Sequence, residues 1–118
     1  MEDGRGPSTY EERVSATRKR FILRIEQTLD DVLSALKTET PVETTETRAR
    51  KVHRMLHDMA GNAAMLDLSE LAQKLRQGVE IAETADHGNR PISERETVAI
   101  QDVVEDARVL GNSLSKTV

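Results

Sequence analysis

Apolar residues return every three or four positions in four separate segments of this chain, and each segment opens on a helix-start signal. Thr9 with Glu12, or Ser8 with Glu11, has the spacing of a capping box, in which a hydroxyl and a carboxylate satisfy the free amides of a first turn. Behind it Phe21, Ile22, Ile25, Leu29, Val32, Leu33 and Leu36 form one stripe, which predicts a helix from near Tyr10 to near Lys37. Thr40-Pro41-Val42-Glu43 is a second start, with Thr as cap and Pro in the first helical position. Its stripe is Val52, Met55, Leu56, Met59, Ala63 and Leu66. Asp67 or Ser69 is expected to cap a third helix carrying Leu68, Leu71, Leu75, Val79 and Ala82. That helix should end before the connection His87-Gly88-Asn89-Arg90-Pro91. Ser93 with Glu96 then opens a fourth helix with Ile100, Val103, Val104, Ala107, Leu110 and Leu114.

A strand reading fails on composition. Sheets draw on aromatic side chains, and here aromatics are 2% of residues, one Tyr and one Phe. The core must therefore be aliphatic, and the expected fold is an all-α, antiparallel four-helix bundle. Residues 1–8, polar and containing Gly and Pro, read as a disordered tail; residues 9–116 read as one domain.

Several chemistries are ruled out or disfavoured. The chain has no cysteine, so thiolate nucleophiles, disulfides and Cys-based metal sites are excluded. A net charge of −4, with the 17 basic residues scattered, argues against a general nucleic-acid binder. No apolar run approaches the roughly 18 residues a membrane span needs, and MEDGRGPST lacks the apolar segment of a signal peptide. The expectation is a soluble, cytoplasmic protein that does not bind membranes.

The unusual stretch is HRMLHDMAGNAAM, residues 53–65, with two histidines four apart and Gly61 four beyond the second. A helix turns about 100° per residue, so with Val52 at zero, Met55, Leu56, Met59, Ala63 and Leu66 fall within about 60°. His57 lies at roughly 140° and Gly61 at roughly 180°, with Arg50 and Arg54 on either side, while His53 sits near the boundary at about 100°. His57 is thus expected on the solvent side. An exposed glycine inside a helix costs about 1 kcal/mol relative to alanine, which stability alone does not explain. With Ala60 and Ala64 beside it, Gly61 would leave a flat surface on which another protein's active site can close over the imidazole. A bare, approachable imidazole is what phosphoryl or proton exchange with a partner needs.

The two histidines also have metal-ligand spacing. Zinc takes three or four protein ligands, however, and the zincin pattern needs Glu where Arg54 stands, so no metal site is expected. The carboxylate pairs Glu11-Glu12 and Asp30-Asp31 read as solvated helix faces, and Met55, Met59 and Met65 as core filling.

The segment His57-Asp58-Met59-Ala60-Gly61-Asn62-Ala63-Ala64-Met65-Leu66-Asp67-Leu68 with the following LSELAQKL resembles the histidine-containing phosphotransfer (HPt) domains of phosphorelays. The likeness is close over about residues 50 to 82. It implies that His57 accepts a phosphoryl group from the aspartyl phosphate of one receiver domain and passes it to another. It further implies response-regulator receivers, and a hybrid sensor kinase, as partners; Mg²⁺ supplied by the receiver rather than a cofactor bound by this chain; and a monomeric carrier with no catalytic constellation of its own. The sequence departs from the pattern at Ala60, where Lys is customary, and at Asp67, where Gly is usual. Arg54, Arg50 or Lys74 are the candidates to replace the Lys, and His53 is expected on the rim of the same face. The competing expectation is a helical adaptor that binds partners through this face without chemistry.

Overall fold

The computed structural model describes residues 9–37 and 46–117. Among them lie four helices and no strand: α1 (Tyr10–Lys37), α2 (Arg48–Met65), α3 (Ser69–His87) and α4 (Glu94–Ser115). The predicted tail, residues 1–8, and the start signal at residues 40–43 lie outside the described residues.

Two of the four starts follow the sequence signals. At α1, Glu12 N–H donates to Thr9 Oγ1 at 3.0 Å and Thr9 N–H donates to Glu12 Oε1 at 3.1 Å. At α4, Ser93 and Glu96 form the complete capping box. The other two differ. α2 begins at Arg48, behind an extended Thr47 whose side chain accepts from Arg50 N–H at 3.1 Å. α3 has Leu68 as its cap and no side-chain cap at all. Asp67 is not available for that role, because it takes the left-handed turn that closes α2.

This turn sets the geometry of the site. Asp67 has φ 61°, and its N–H donates to Ala64 O at 3.1 Å while Leu68 N–H donates to Ala63 O at 2.9 Å. These two bonds are the Schellman pattern that satisfies the last carbonyls of a helix. Asp67 therefore holds the position where glycine is usual because the backbone there is left-handed. The same pattern ends α3, which includes His87: Arg90 N–H reaches Ala85 O and Asn89 N–H reaches Asp86 O. The left-handed residue is Asn89 with φ 51°, while Gly88 stays at φ −83°.

Each helix packs on two neighbours, in ring order α1, α2, α3, α4 and back to α1. Paired residues give the directions. Arg108 binds Asp30 and Glu26 while a Cβ on Gly111 would abut Ile25, so α1 and α4 are antiparallel. Lys74 meets Asp106 and Gly78 faces Val103, so α3 and α4 are antiparallel; His53 meets Asp86 and Leu56 faces Gly78, so α2 and α3 are too. α1 then runs against α2, and Arg18 Nε ties them by donating to Leu66 O at 2.9 Å.

The core is aliphatic, led by Leu29, Val32, Val52, Leu56, Leu75, Ile100 and Val104, each inaccessible. Complete burial of one such side chain contributes about 1.5–3 kcal/mol. Among the described residues no polar or charged side chain is buried. Any chemistry must therefore stand on the surface. Met59 is core as expected and Met55 is half-buried, but Met65, the last residue of α2, is 80% exposed at the edge of a groove between α1 and α2. Among the described residues no helix is long and apolar enough to cross a membrane.

Candidate functional site

His57 projects from the outer side of α2 with 72% of its side chain exposed. Its nearest carboxylate among the described residues is Asp58, at 3.9 Å between Nδ1 and Oδ1, too far for a hydrogen bond. One turn on, a Cβ built at Gly61 meets nothing within 4 Å. These two residues and Ala60 form one wall of a shallow depression of about 280 Å³, and Arg76, Val79 and Glu80 of α3 form the other.

Ala60 differs from expectation. It is 4% exposed and belongs to the core, because α3 comes in close on that flank of α2. On a lone helix position 60 falls at about 80° from Val52, just outside the buried stripe, and α3 covers that edge. Ala64 is half-buried against the core, so the bare surface beside His57 is made by Gly61 rather than by a row of small residues.

The expected cations are placed elsewhere. Arg54 makes a bidentate pair with Glu46, Nε to Oε2 at 2.8 Å and Nη2 to Oε1 at 3.0 Å. That hydrogen bonding holds the Glu46 carboxyl below its ordinary range. Arg54 lines a separate groove of about 540 Å³ between α1 and α2, with Phe21, Met55 and Met59 among its apolar lining and Arg20 and Arg24 on α1. Arg50 lies 3.4 Å from Asp86, toward the start of α2. Lys74 lies 3.3 Å from Asp106, on the α3–α4 flank, because its position on α3 turns it away from α2. None of the three borders the depression at His57.

His53 is not an open rim residue. Its side chain is 18% exposed, and Nδ1 lies 3.0 Å from Oδ2 of Asp86, itself 10% exposed. The bond to His53 is the main reason the Asp86 carboxyl sits below its ordinary value; Arg50 adds to the effect and burial opposes it. The His53 ring stands edge-on to those of His57 and His87, with centroids 6.3 and 5.9 Å away. His87, read from sequence as a loop residue, ends α3, and its Nε2 is 3.8 Å from Glu83. Among the described residues no group of three or more His, Asp or Glu side chains is placed to hold a metal ion.

Sequence reasoning missed Arg76 and Glu80. The signal was present in the short turn after α2. Residues equidistant from Leu66-Asp67-Leu68 face each other across an antiparallel pair, which sets residues 73–77, Arg76 among them, opposite 57–61, with Glu80 one turn beyond Arg76. The arrangement offers one accessible imidazole, an open approach over Gly61 and a guanidinium on the opposite wall. No family model, curated protein or solved structure matches the chain.

Proposed function

We propose that this chain is a histidine phosphotransfer protein of a phosphorelay, taking a phosphoryl group on His57 from a receiver's aspartyl phosphate and passing it to a second receiver. The observation that carries this reading is the pairing of an imidazole 72% exposed with a glycine one turn on whose Cβ position is empty space. Nothing in the fold's stability asks for either. The neutral ring attacks phosphorus through the nitrogen remote from Asp58, Nε2. The N–P bond forms as the aspartyl P–O bond breaks, with its electron pair going to the carboxylate. Nδ1 keeps its proton throughout, and the reverse sequence delivers the group to the second receiver. Positioning and the partner's Mg²⁺ and acidic pocket supply the rest, since such transfers depend mainly on alignment and charge neutralisation. In this reading the carrier is cytoplasmic and monomeric, and it needs no bound cofactor.

The test is incubation with phosphorylated receiver domains. Acid-labile, base-stable label should appear on the wild type and be absent from His57→Gln. Equal labelling of the variant sinks the proposal. The apolar groove between α1 and α2, with its arginines, favours a second reading, an adaptor that binds without chemistry. An adaptor binds its partner equally well with His57→Gln and takes no label from any receiver.

A further inference from the structure

We infer that Arg76 is the cation that holds the phosphoryl group on His57, doing from α3 what a lysine at position 60 does in the family that the chain resembles. This inference rests on the reading of His57 as the acceptor.

Position 60 cannot itself present a charge without disturbing the bundle. Ala60 is 4% exposed and packed where α3 approaches. The cation must therefore come from another position bordering the same depression. Of the six residues that line it, the charged ones apart from His57 are Arg76 and Glu80. Arg50, Arg54 and Lys74 are bound to Asp86, Glu46 and Asp106, and each faces another part of the surface.

Arg76 is exposed and takes part in no hydrogen bond or ion pair among the described residues. An arginine with no protein partner beside a nucleophile suits an anion that arrives only part of the time. A planar guanidinium grips phosphoryl oxygens in pairs. Because α3 is locked antiparallel to α2 by the Asp67 turn, the side chain is delivered to the wall opposite His57 by rigid backbone.

Glu80 lies one turn from Arg76 on the same wall. Its carboxylate repels a phosphoryl group bound at the same depression, which keeps the hold weak. A carrier that must release its cargo to a second receiver needs such a balance.

Two probes test this on the full chain. Inorganic phosphate titrated into the protein should shift the His57 ring and Gly61 amide NMR signals saturably. Arg76→Ala should weaken the apparent affinity about tenfold, as expected for loss of a charge-assisted pair. Arg76→Lys should recover most of it, and Glu80→Gln should tighten it. Phosphoramidate should label His57 about tenfold more slowly in Arg76→Ala than in wild type, with unchanged thermal midpoints. Equal phosphate affinity and equal labelling in wild type and Arg76→Ala overturn the assignment, as does an Arg76→Lys variant no better than Arg76→Ala. Failure of receivers to label wild-type His57 instead overturns the carrier reading, while the phosphate and phosphoramidate arms still report on Arg76.

Discussion

Nδ1 of His53 lies 3.0 Å from Oδ2 of Asp86, a bond that crosses the seam between α2 and α3. It divides the labour of two histidines on one helix. His53 joins the two helices that carry the proposed site, while His57, one turn on, is left to solvent. Label from a receiver should therefore remain on His57 in His53→Gln, and that variant should lose stability instead. Label lost with the fold intact would contradict this division.

The same bond predicts a pH dependence. The Asp86 carboxyl sits below its ordinary value of 3.8 in the folded protein, so it binds protons less readily than in the unfolded chain. Its stabilisation is present above that ordinary value and is lost as pH falls through the lowered one. Asp86→Asn should cost about 1 kcal/mol at neutral pH, after allowance for solvent screening. The gap from wild type should close in acid. Urea titrations at several pH values read both, and a gap that widens in acid would reverse the sign.

At Asp67 the prediction concerns the backbone. A φ of 61° disfavours side chains, although Asp tolerates it better than most. Asp67→Gly should raise stability by up to about 1 kcal/mol, and the β-branched Asp67→Val should lower it by about 1–2 kcal/mol. Thermal denaturation of both variants measures the difference. A destabilised Asp67→Gly would mean that the carboxylate has a role beyond the turn.

Residues whose environment is local to one helix were legible in the sequence. The solvent side of His57 and the stripe from Val52 to Leu66 followed from angular position, and the caps at Thr9 and Ser93 followed from spacing. What was lost depends on a neighbouring helix. Ala60 looked open on a lone helix and is closed by α3; Arg54 and Lys74 looked available and are bound to Glu46 and Asp106. Arg76 escaped notice because its proximity to His57 is fixed by the register of a turn, not by any motif around it. Thr47, which caps α2, carries no capping-box partner in the sequence that would single it out, and the start signal at residues 40–43 lies outside the described residues.

Glu96 gives a second acid-sensitive element. Its carboxyl is held at about 2, against an ordinary 4.5, chiefly by hydrogen bonding to Arg90 and then by the Ser93 backbone N–H. The contribution is complete above about 4.5 and falls away as pH drops toward 2. Ser93→Ala should cost about 1 kcal/mol near neutrality. Glu96→Gln should lose stability at pH 6 and approach wild type below pH 3, roughly one unit above the folded value. Amide exchange in the first turn of α4 should accelerate in both variants, and unchanged exchange would show that this cap does not hold the turn.

Two helical glycines should respond oppositely to the same added methyl group. At Gly61 a Cβ enters open space, so Gly61→Ala should raise stability by about 0.5–1 kcal/mol through helix propensity alone. At Gly111 a Cβ falls 2.8 Å from Cγ2 of Ile25, a branch that cannot swing aside because β-branched side chains are stiff at χ1. Overpacking of about 1–3 kcal/mol there outweighs the propensity gain. Gly111→Ala should therefore melt below wild type and Gly61→Ala above it. Larger groups at position 61 separate stability from function: Gly61→Leu should fold at least as well as wild type yet accept phosphoryl groups from a receiver at least tenfold more slowly, because the side chain stands where the partner must close over His57. Small phosphoramidate needs less room than a receiver domain, so its labelling of Gly61→Leu should fall by much less. Equal slowing with both donors would place the effect on the imidazole itself and not on the approach of a partner.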